Sequence, residues 1–388
     1  MGTQDNRRAV IGKSLENLVA RARAGREGCR VGLMAAGGEH GDEEFLAAAR
    51  AAMKADAALT VVGVGPRPIN QIPDGMEWIE TGREDRELAS GMEHALDSGV
   101  IQGAVALHYP FPMGVTTVGR MQTPALGKPM FVASCTGMSA AHRAEAMLLN
   151  AVLGGAVARA MGTASPRVGV LNLDGAPQVL RALCHLVEKG YPLQLGASSR
   201  KDGGSLLRGN DLLRGVVDVC VTDTLTGNAL IKVFGAFTSG GSYEASGWGY
   251  GPSVGIGWKR VVCIVSRASG ASVISNALLY TAACVRARLP EVVANELRLA
   301  KKAGLDEELA ILTAAKPAHA EEVRAPTVVP TDAEIHGIDV LDLEVAVRAL
   351  WKRGIYAEAA MGCTGPVIKL AGVSTDEAHS ILAESGYL

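Results

Sequence analysis

Arg30-Val31-Gly32-Leu33-Met34-Ala35, followed by Gly37-Gly38-Glu39-His40-Gly41 and Asp42, reads as a short aliphatic strand, a glycine turn and the start of a helix that Asp42 could cap. The same order of strand, polar turn and helix recurs along the chain. Further strands are expected at 59–64, 103–107, 130–134, 167–173, 216–222 and 261–266, several of them followed by Gly, Ser, Thr or Asp and then a helical stretch. Repetition of that unit predicts an α/β fold: a doubly wound, mostly parallel sheet with both faces covered. Ligands of such sheets gather at the carboxyl ends of the strands.

Composition agrees with that reading. The 388 residues are 48% hydrophobic and 20% charged, enough apolar material for a large core and too much for a disordered chain. With 4% aromatics and 47 glycines, the core must be aliphatic and the turns numerous, which disfavours an aromatic-rich β sandwich. A formal net charge of -2 gives no global field for nucleic acid or an anionic membrane surface. The polar start Met1-Gly2-Thr3-Gln4-Asp5-Asn6-Arg7-Arg8 lacks an apolar signal segment, and apolar runs elsewhere are broken by charges such as Arg159, so a cytoplasmic protein without membrane insertion is expected. The seven cysteines form no C-x-x-C pair and no zinc spacing, so they read as reduced thiols, most of them buried and inert. No metal site is expected.

The chain's character changes after Ala314. Residues 316–334 carry three prolines, several alanines and charges of both signs without a helical apolar stripe, which suggests an extended, semi-rigid linker. Order returns with Ile338, Leu341, Leu343, Val345, Val347 and Leu350, a helix ending near Gly354, an apolar segment, and a last helix near 374–386. The expected organisation is a body over 1–315, a linker over 316–334, and a small C-terminal α+β module over 335–388.

That module holds Cys363, within Met361-Gly362-Cys363-Thr364-Gly365-Pro366. The two glycines permit close backbone approach to a ligand and Pro366 blocks a simple helix, so the thiol is expected on a sharp, accessible turn. Considered alone, such a cysteine is as readily a small buried hydrophobe. A thiol on a tethered module, however, can visit two sites at high effective concentration, as a swinging acyl carrier should. Cys135, in Ser134-Cys135-Thr136-Gly137 at the end of a strand, is the rival: a following helix N-terminus would depress its pKa. Ser134, Thr136 and the helix amides there equally describe an anion cradle, with Arg143 on the helix as a phosphate ligand.

A second turn, Asp223-Thr224-Leu225-Thr226-Gly227-Asn228, lies between a strand and a helix. Its free amides and the hydroxyls of Thr224 and Thr226 would suit a phosphate; an ordinary N-cap by Thr226 or Asn228 is the structural alternative. Beyond that helix, Ser239-Gly240-Gly241-Ser242 opens a stretch to Pro252 too rich in glycine to pack a core, which reads as a ligand-covering loop or a flexible surface loop. Asn172-Leu173-Asp174-Gly175 and Arg200-Lys201-Asp202-Gly203-Gly204 are weaker clusters at plausible strand ends. There is no Walker A lysine motif, no dinucleotide fingerprint with its acidic partner and no nucleophile elbow, so no cofactor is expected. Inorganic phosphate is itself an anionic nucleophile, and an enzyme that turns it on a thioester needs positioning and oxyanion stabilisation more than a strong base.

At these motifs the chain resembles known families. The Asp223 to Asn228 turn is similar to the Asp-Gly-Phe-x-Gly-Asn signature of the bacterial phosphate acyltransferases of phospholipid synthesis, with Thr224 where glycine is usual. Gly37-Gly38-Glu39-His40-Gly41, His108-Tyr109-Pro110-Phe111-Pro112, Arg208-Gly209-Asn210-Asp211-Leu212-Leu213, Gly240-Gly241-Ser242-Tyr243-Glu244-Ala245-Ser246-Gly247 and Met361 to Pro366 resemble the alpha subunit of component C of the glycine/sarcosine/betaine reductase complex. The resemblance covers nearly the whole chain, tail included. It implies a phosphotransacylase-like body, an acetyl carrier at Cys363, acetyl phosphate as product and phosphate as substrate. It also implies a condensing-enzyme-like beta subunit of component C as partner; an aliphatic α/β body of this kind further suggests a homo-oligomer. Transfer between phosphate and acyl-CoA or an acyl carrier protein, or a non-catalytic carrier or scaffold subunit of a biosynthetic complex, are the alternatives. The residues expected to hold substrate or phosphate are Asp223, Thr224, Thr226, Gly227, Asn228, Ser239, Gly240, Gly241, Arg143 and Arg200.

Overall fold

The computed structural model describes residues 27–69, 71–199, 204–314, 323–338, 342–362 and 365–388. Among them, the expected parallel α/β sheet is present and larger than the sequence suggests: twelve strands form one mixed sheet. Its first half is parallel, in the order β3 (Glu77–Glu80), β2 (Leu59–Gly65), β1 (Cys29–Met34), β4 (Gly103–Ala106) and β12 (Val262–Ile264). Its second half is also parallel: β6 (Pro129–Met138), β10 (Val219–Val221), β7 (Arg167–Leu171) and β8 (Gln194–Leu195), with β9 (Leu206–Leu207) also on β7.

Two strands absent from the sequence reading, β5 (Val115–Gln122) and β11 (Gly251–Gly255), join the halves through three antiparallel pairings, β12 with β11, β11 with β5 and β5 with β6. Three reversals leave the two parallel halves running in opposite directions. The carboxyl ends of β1, β2, β4 and β12 therefore open on one edge of the sheet, and those of β6, β7 and β10 on the other.

Helices cover both faces. In the first half lie α1 (Glu43–Ala55) and α2 (Asp85–Asp97), with buried faces built from Phe45, Leu46, Ala49, Leu88 and Met92. Asp42 stands at the N-cap of α1, yet its carboxylate makes no cap: it pairs with Arg83 at 2.7 Å. In the second half, α3 (Arg143–Ala160) is buried along most of its length, which its apolar circumference allows. It lies between the sheet and α8 (Leu289–Lys302), with α4 (Ala176–Glu188) and α9 (Leu305–Thr313) alongside. The remaining helices of the body are α5 (Gly209–Arg214), α6 (Thr224–Ala236) and α7 (Ala271–Arg286).

The chain around 315–322 lies outside the described residues, and 323–332 carry no helix or strand. The C-terminal sheet begins at Ala333, inside the segment expected as linker, because β13 (Ala333–Ile335) pairs with β15 (Gly365–Leu370), which in turn pairs with β14 (Ala357–Gly362). With α10 (Leu343–Lys352) and α11 (Thr375–Glu384) the module is α+β, and it has a core of its own around Ile335, Leu343, Leu350, Ile368, Leu370 and Leu382. Gln178, in the first turn of α4, donates to the Asp342 carboxylate before α10 at 2.9 Å. That contact fastens the module to the body at the edge where the second half's strands end.

Because the module's core is separate, Leu350→Ala, at a fully buried position, should cost the module about 2–4 kcal/mol. Calorimetry should show one transition lowered and the body's transition unchanged, with faster amide exchange confined to residues beyond 332.

Candidate functional site

The second half's carboxyl edge collects five of the ten residues expected to hold substrate or phosphate, together with Cys135, into one cleft of about 650 Å³, lined by Cys135, Arg143, Asp223, Thr224, Thr226 and Asn228 with Met138, Ala140, Ala146 and Leu225. The local backbone explains the gathering. Strand β6 does not stop at Ser134 as expected but runs to Met138, because its pairing with β5 shifts register: Val118 faces Ala133 while Thr116 faces Gly137. This bulge sets Ser134, Cys135 and Thr136 against Thr117 and re-aims their side chains. Helix α6 then lies against the bulge so closely that a Cβ on Gly227 would collide with the Ser134 carbonyl oxygen. Gly227 is thus a packing glycine, and its amide is used in bonding the Asp223 carbonyl at 3.0 Å.

The turn caps itself by a residue the sequence reading did not choose. Asp223, rather than Thr226 or Asn228, is the N-cap of α6, and its carboxylate accepts the Thr226 amide at 2.8 Å. Asn228 donates to the Cys135 carbonyl at 3.0 Å. The Thr224 hydroxyl donates to the Gly137 carbonyl at 3.1 Å and lies 2.9 Å from the Ser134 hydroxyl, which accepts from Thr116 at 2.5 Å. The Thr116 hydroxyl also reaches the Thr136 carbonyl at 3.0 Å, so the three hydroxyls form one chain that ends on the Thr136 and Gly137 carbonyls. Thr224 is therefore a structural strut that fixes α6 to the bulge. Among the described residues, the amides of Thr224 and Leu225 and the hydroxyl of Thr226 meet no acceptor.

Charge in the cleft is balanced against anions. Arg143, at the start of α3, lies 3.3 Å from Asp174 and 3.7 Å from Asp223. One guanidinium shared by two carboxylates leaves that cluster with a net charge of about -1. Arg200, the other expected cation, lies outside the described residues.

Ser239, Gly240 and Gly241 are not in this cleft. They follow the far end of α6, about 20 Å away at 1.5 Å per residue, on the edge where β1, β4 and β12 end. The Ser239 hydroxyl serves its own turn, donating to the Ala236 carbonyl at 2.9 Å and contacting the Tyr243 carbonyl. Gly240 and Gly241 adopt φ of 67° and 87°, which a side chain would strain. The loop beyond them is packed rather than a loose cover, because Glu244 is buried and its carboxylate receives Lys232 at 3.1 Å, the Tyr250 hydroxyl at 2.8 Å and the Ser269 hydroxyl at 2.7 Å. Lys232 also reaches the Ser266 hydroxyl at 3.3 Å, and Arg267 bonds the Gly37 carbonyl at 3.1 Å and Asp85 at 3.0 Å. This polar group of Lys232, Ser266 and Arg267 was not singled out from the sequence. Only its position after β12, in a Ser-Arg-Ala-Ser turn at a strand's carboxyl end, could have flagged it.

The thiols divide sharply. All six described cysteines are free. Cys135 is fully buried, donates to the Val132 carbonyl at 3.2 Å and has its pKa pushed up to about 12 by that burial, the reverse of the depression expected from a helix N-terminus. The reason is positional: it sits within β6, and α3 begins only at Arg143. Burial likewise raises Cys29 to about 11 and Cys263 to about 12, and raises Cys184, Cys220 and Cys284. Cys363 lies outside the described residues; the hairpin strands that flank it in the chain pair Gly362 with Gly365.

The family described as "Fatty acid synthesis protein" matches residues 29–369. The glycine/sarcosine/betaine reductase complex component C subunit alpha of Peptoclostridium acidaminophilum is 46% identical over 359 residues, 92% of each chain. A phosphate acyltransferase of Thermotoga neapolitana is 30% identical over 229 residues, 50% of this chain and 66% of that one. Among solved structures, a branched-chain phosphotransacylase from Enterococcus faecalis V583 aligns with a TM-score of 0.47 at 16% identity, covering 66% of this chain and 99% of that chain.

A thiol with a pKa near 12 is about 10⁻⁴ thiolate at pH 8. Native protein treated with iodoacetamide at pH 8 should therefore leave Cys135 and Cys263 unmodified, whereas both should react fully after denaturation. Peptide mass mapping checks this, and native labelling of Cys135 would restore it as a candidate nucleophile.

Proposed function

The chain belongs to the fatty acid synthesis protein family, alongside the alpha subunit of glycine/sarcosine/betaine reductase component C, and from that premise we propose that it is a phosphate acyltransferase subunit working through Cys363. An acyl group, acetyl in the simplest case, arrives as a thioester on Cys363 from a condensing-enzyme-like beta subunit. The module presents it to the body. An oxygen of HPO₄²⁻ attacks the thioester carbonyl carbon, the C–S bond breaks, and the phosphate's proton ends on sulfur, giving acyl phosphate and free Cys363.

The observation that carries this reading is the distribution of thiols: five of the six described cysteines are buried and the sixth, Cys184, is half-buried with its pKa also raised, while the seventh falls in the sequence between the paired Gly362 and Gly365 of the module whose Asp342 meets Gln178. In the cleft, the amides of Thr224 and Leu225, the Thr226 hydroxyl and Arg143 are the donors assigned to phosphate. Inorganic phosphate is a substrate here, and no cofactor takes part in the proposed steps. The Lys232, Ser266 and Arg267 group offers a second polar edge with two cations, each paired to a carboxylate, so the experiment must separate the two.

Intact mass after incubation with acyl-loaded partner should show an acyl adduct that disappears on adding phosphate. Cys363→Ala should carry no adduct and form no acyl phosphate; full activity in that variant would end the carrier assignment. Thr226→Val should raise the KM for phosphate with little change in adduct formation. Asp174→Asn removes one of two carboxylates competing for Arg143, so it should lower that KM by roughly threefold, the scale of a half-exposed ion pair. If neither cleft variant moves the phosphate KM and Arg267→Ala does, phosphate binds at the opposite edge.

A further inference from the structure

His108-Tyr109-Pro110-Phe111-Pro112 takes no part in the reading above, yet two of its rings pack against Trp258, whose Gly257-Trp258-Lys259 turn lines a separate cleft of about 500 Å³, within the size range of small-molecule sites. It lies at the amino-terminal side of β4 and β12, under the junction of α7 and α8. Trp258 forms one wall, Val261, Val285 and Pro290 the apolar floor, and Lys259 and Arg288 stand at the rim.

Trp258 is held as a rigid plane. Its indole N–H donates to the Ser253 hydroxyl at 2.8 Å, and Tyr109 and Phe111 pack edge-on against it at centroid distances of 6.3 and 6.1 Å. Tyr109 is in turn fixed by Arg260, which bonds its hydroxyl at 2.6 Å and Asp97 at 2.6 Å. Behind the ring stands a braced aromatic wall, so stacking on the cleft side costs little ordering. At the rim, Arg288 has φ 51°, the single non-glycine residue with positive φ among the described residues, and it precedes α8 as its N-cap. Such conformations persist where the surroundings impose them and cluster at ligand sites. The rim's charges are Lys259 and Arg288 against Glu291, which lies 3.7 Å from Arg288, so the cleft carries an excess of about one positive charge.

We propose that this cleft is a binding site for a planar aromatic anion, its ring stacked on Trp258 and its acidic group at Lys259 and Arg288. The site is distinct from the Thr226 cleft and independent of the role of Cys363. The two are neighbours on the same edge of the sheet: Gly255 of this cleft and Met138 of the other are both paired to Val115, so they stand about 10 Å apart, two strand spacings.

The test uses the full chain and 8-anilinonaphthalene-1-sulfonate as the probe, with N-phenyl-1-naphthylamine as its uncharged counterpart. Fluorescence titration should show one saturable site with energy transfer from tryptophan, and the uncharged compound should bind about tenfold more weakly. Lys259→Glu, at an exposed position, should weaken the sulfonate about tenfold and leave the uncharged compound unchanged. Ala294→Trp, at the exposed rim, should block both probes while thermal melting stays as in the parent. Non-saturable binding, or a sulfonate affinity identical in the parent, Lys259→Glu and Ala294→Trp proteins, would overturn the proposal.

Discussion

The approach of α6 to the bulge in β6 is the constraint on which the arrangement depends. Only a residue without a side chain at 227 lets the helix lie against the Ser134 carbonyl, and only at that distance can the Thr116, Ser134 and Thr224 hydroxyls chain together and Asn228 reach the Cys135 carbonyl. The helix spans the sheet from one edge to the other. Its start therefore forms the Thr226 cleft, and its end delivers Lys232 and the glycine-rich loop to the opposite edge. Gly227 is a packing residue whose consequence is the position of two polar crevices.

The strand reversal at β11 and β5 has a matching consequence. In a uniformly parallel sheet every carboxyl end would share one edge, and the turns after β1, β4, β6, β10 and β12 would compete for one crevice. Three antiparallel pairings divide them. The module is fastened by Gln178 to the second half's carboxyl edge, beside Arg143 and the start of α6, and away from the Glu244 network.

The sequence revealed what local chemistry determines. Strands β1, β2, β4, β6, β7, β10 and β12 are aliphatic runs ending in turn residues, and each is found within a few residues of its expected place. Val115-Thr116-Thr117-Val118 in β5 is a β-branched run that does favour a strand, and the sequence reading passed it over; β11 was not legible, because Gly251-Pro252-Ser253-Val254-Gly255 is too rich in glycine and proline to signal a strand and exists through its pairing with β5 and β12. The same limit governed the site. Thr226 and Asn228 were found as members of a turn, but the choice of Asp223 as cap, the burial of Cys135 and the pinning of Glu244 are decided by residues far away in the chain. A glycine-rich segment looked unable to pack; one buried carboxylate with three donors packs it.

No helix among the described residues is long and apolar enough to cross a membrane; the proposed acyl transfer is a reaction between the folded body and the partner that supplies the acyl group. In that reaction phosphate competes with water for a thioester, and the cleft's own charge weakens phosphate through Asp174 and Asp223 while Arg143 and the free amides attract it. A balance of this kind, with two carboxylates against one guanidinium and the free amides, suits a group that must leave as acyl phosphate, since a strongly cationic cradle would hold the product as firmly as the substrate. In the proposed reaction, discrimination against water would come from presentation, with the thioester offered to a cleft that already holds phosphate. A thiol fixed permanently in that cleft would lack this protection, which is the physical case for a carrier on a module with a core of its own.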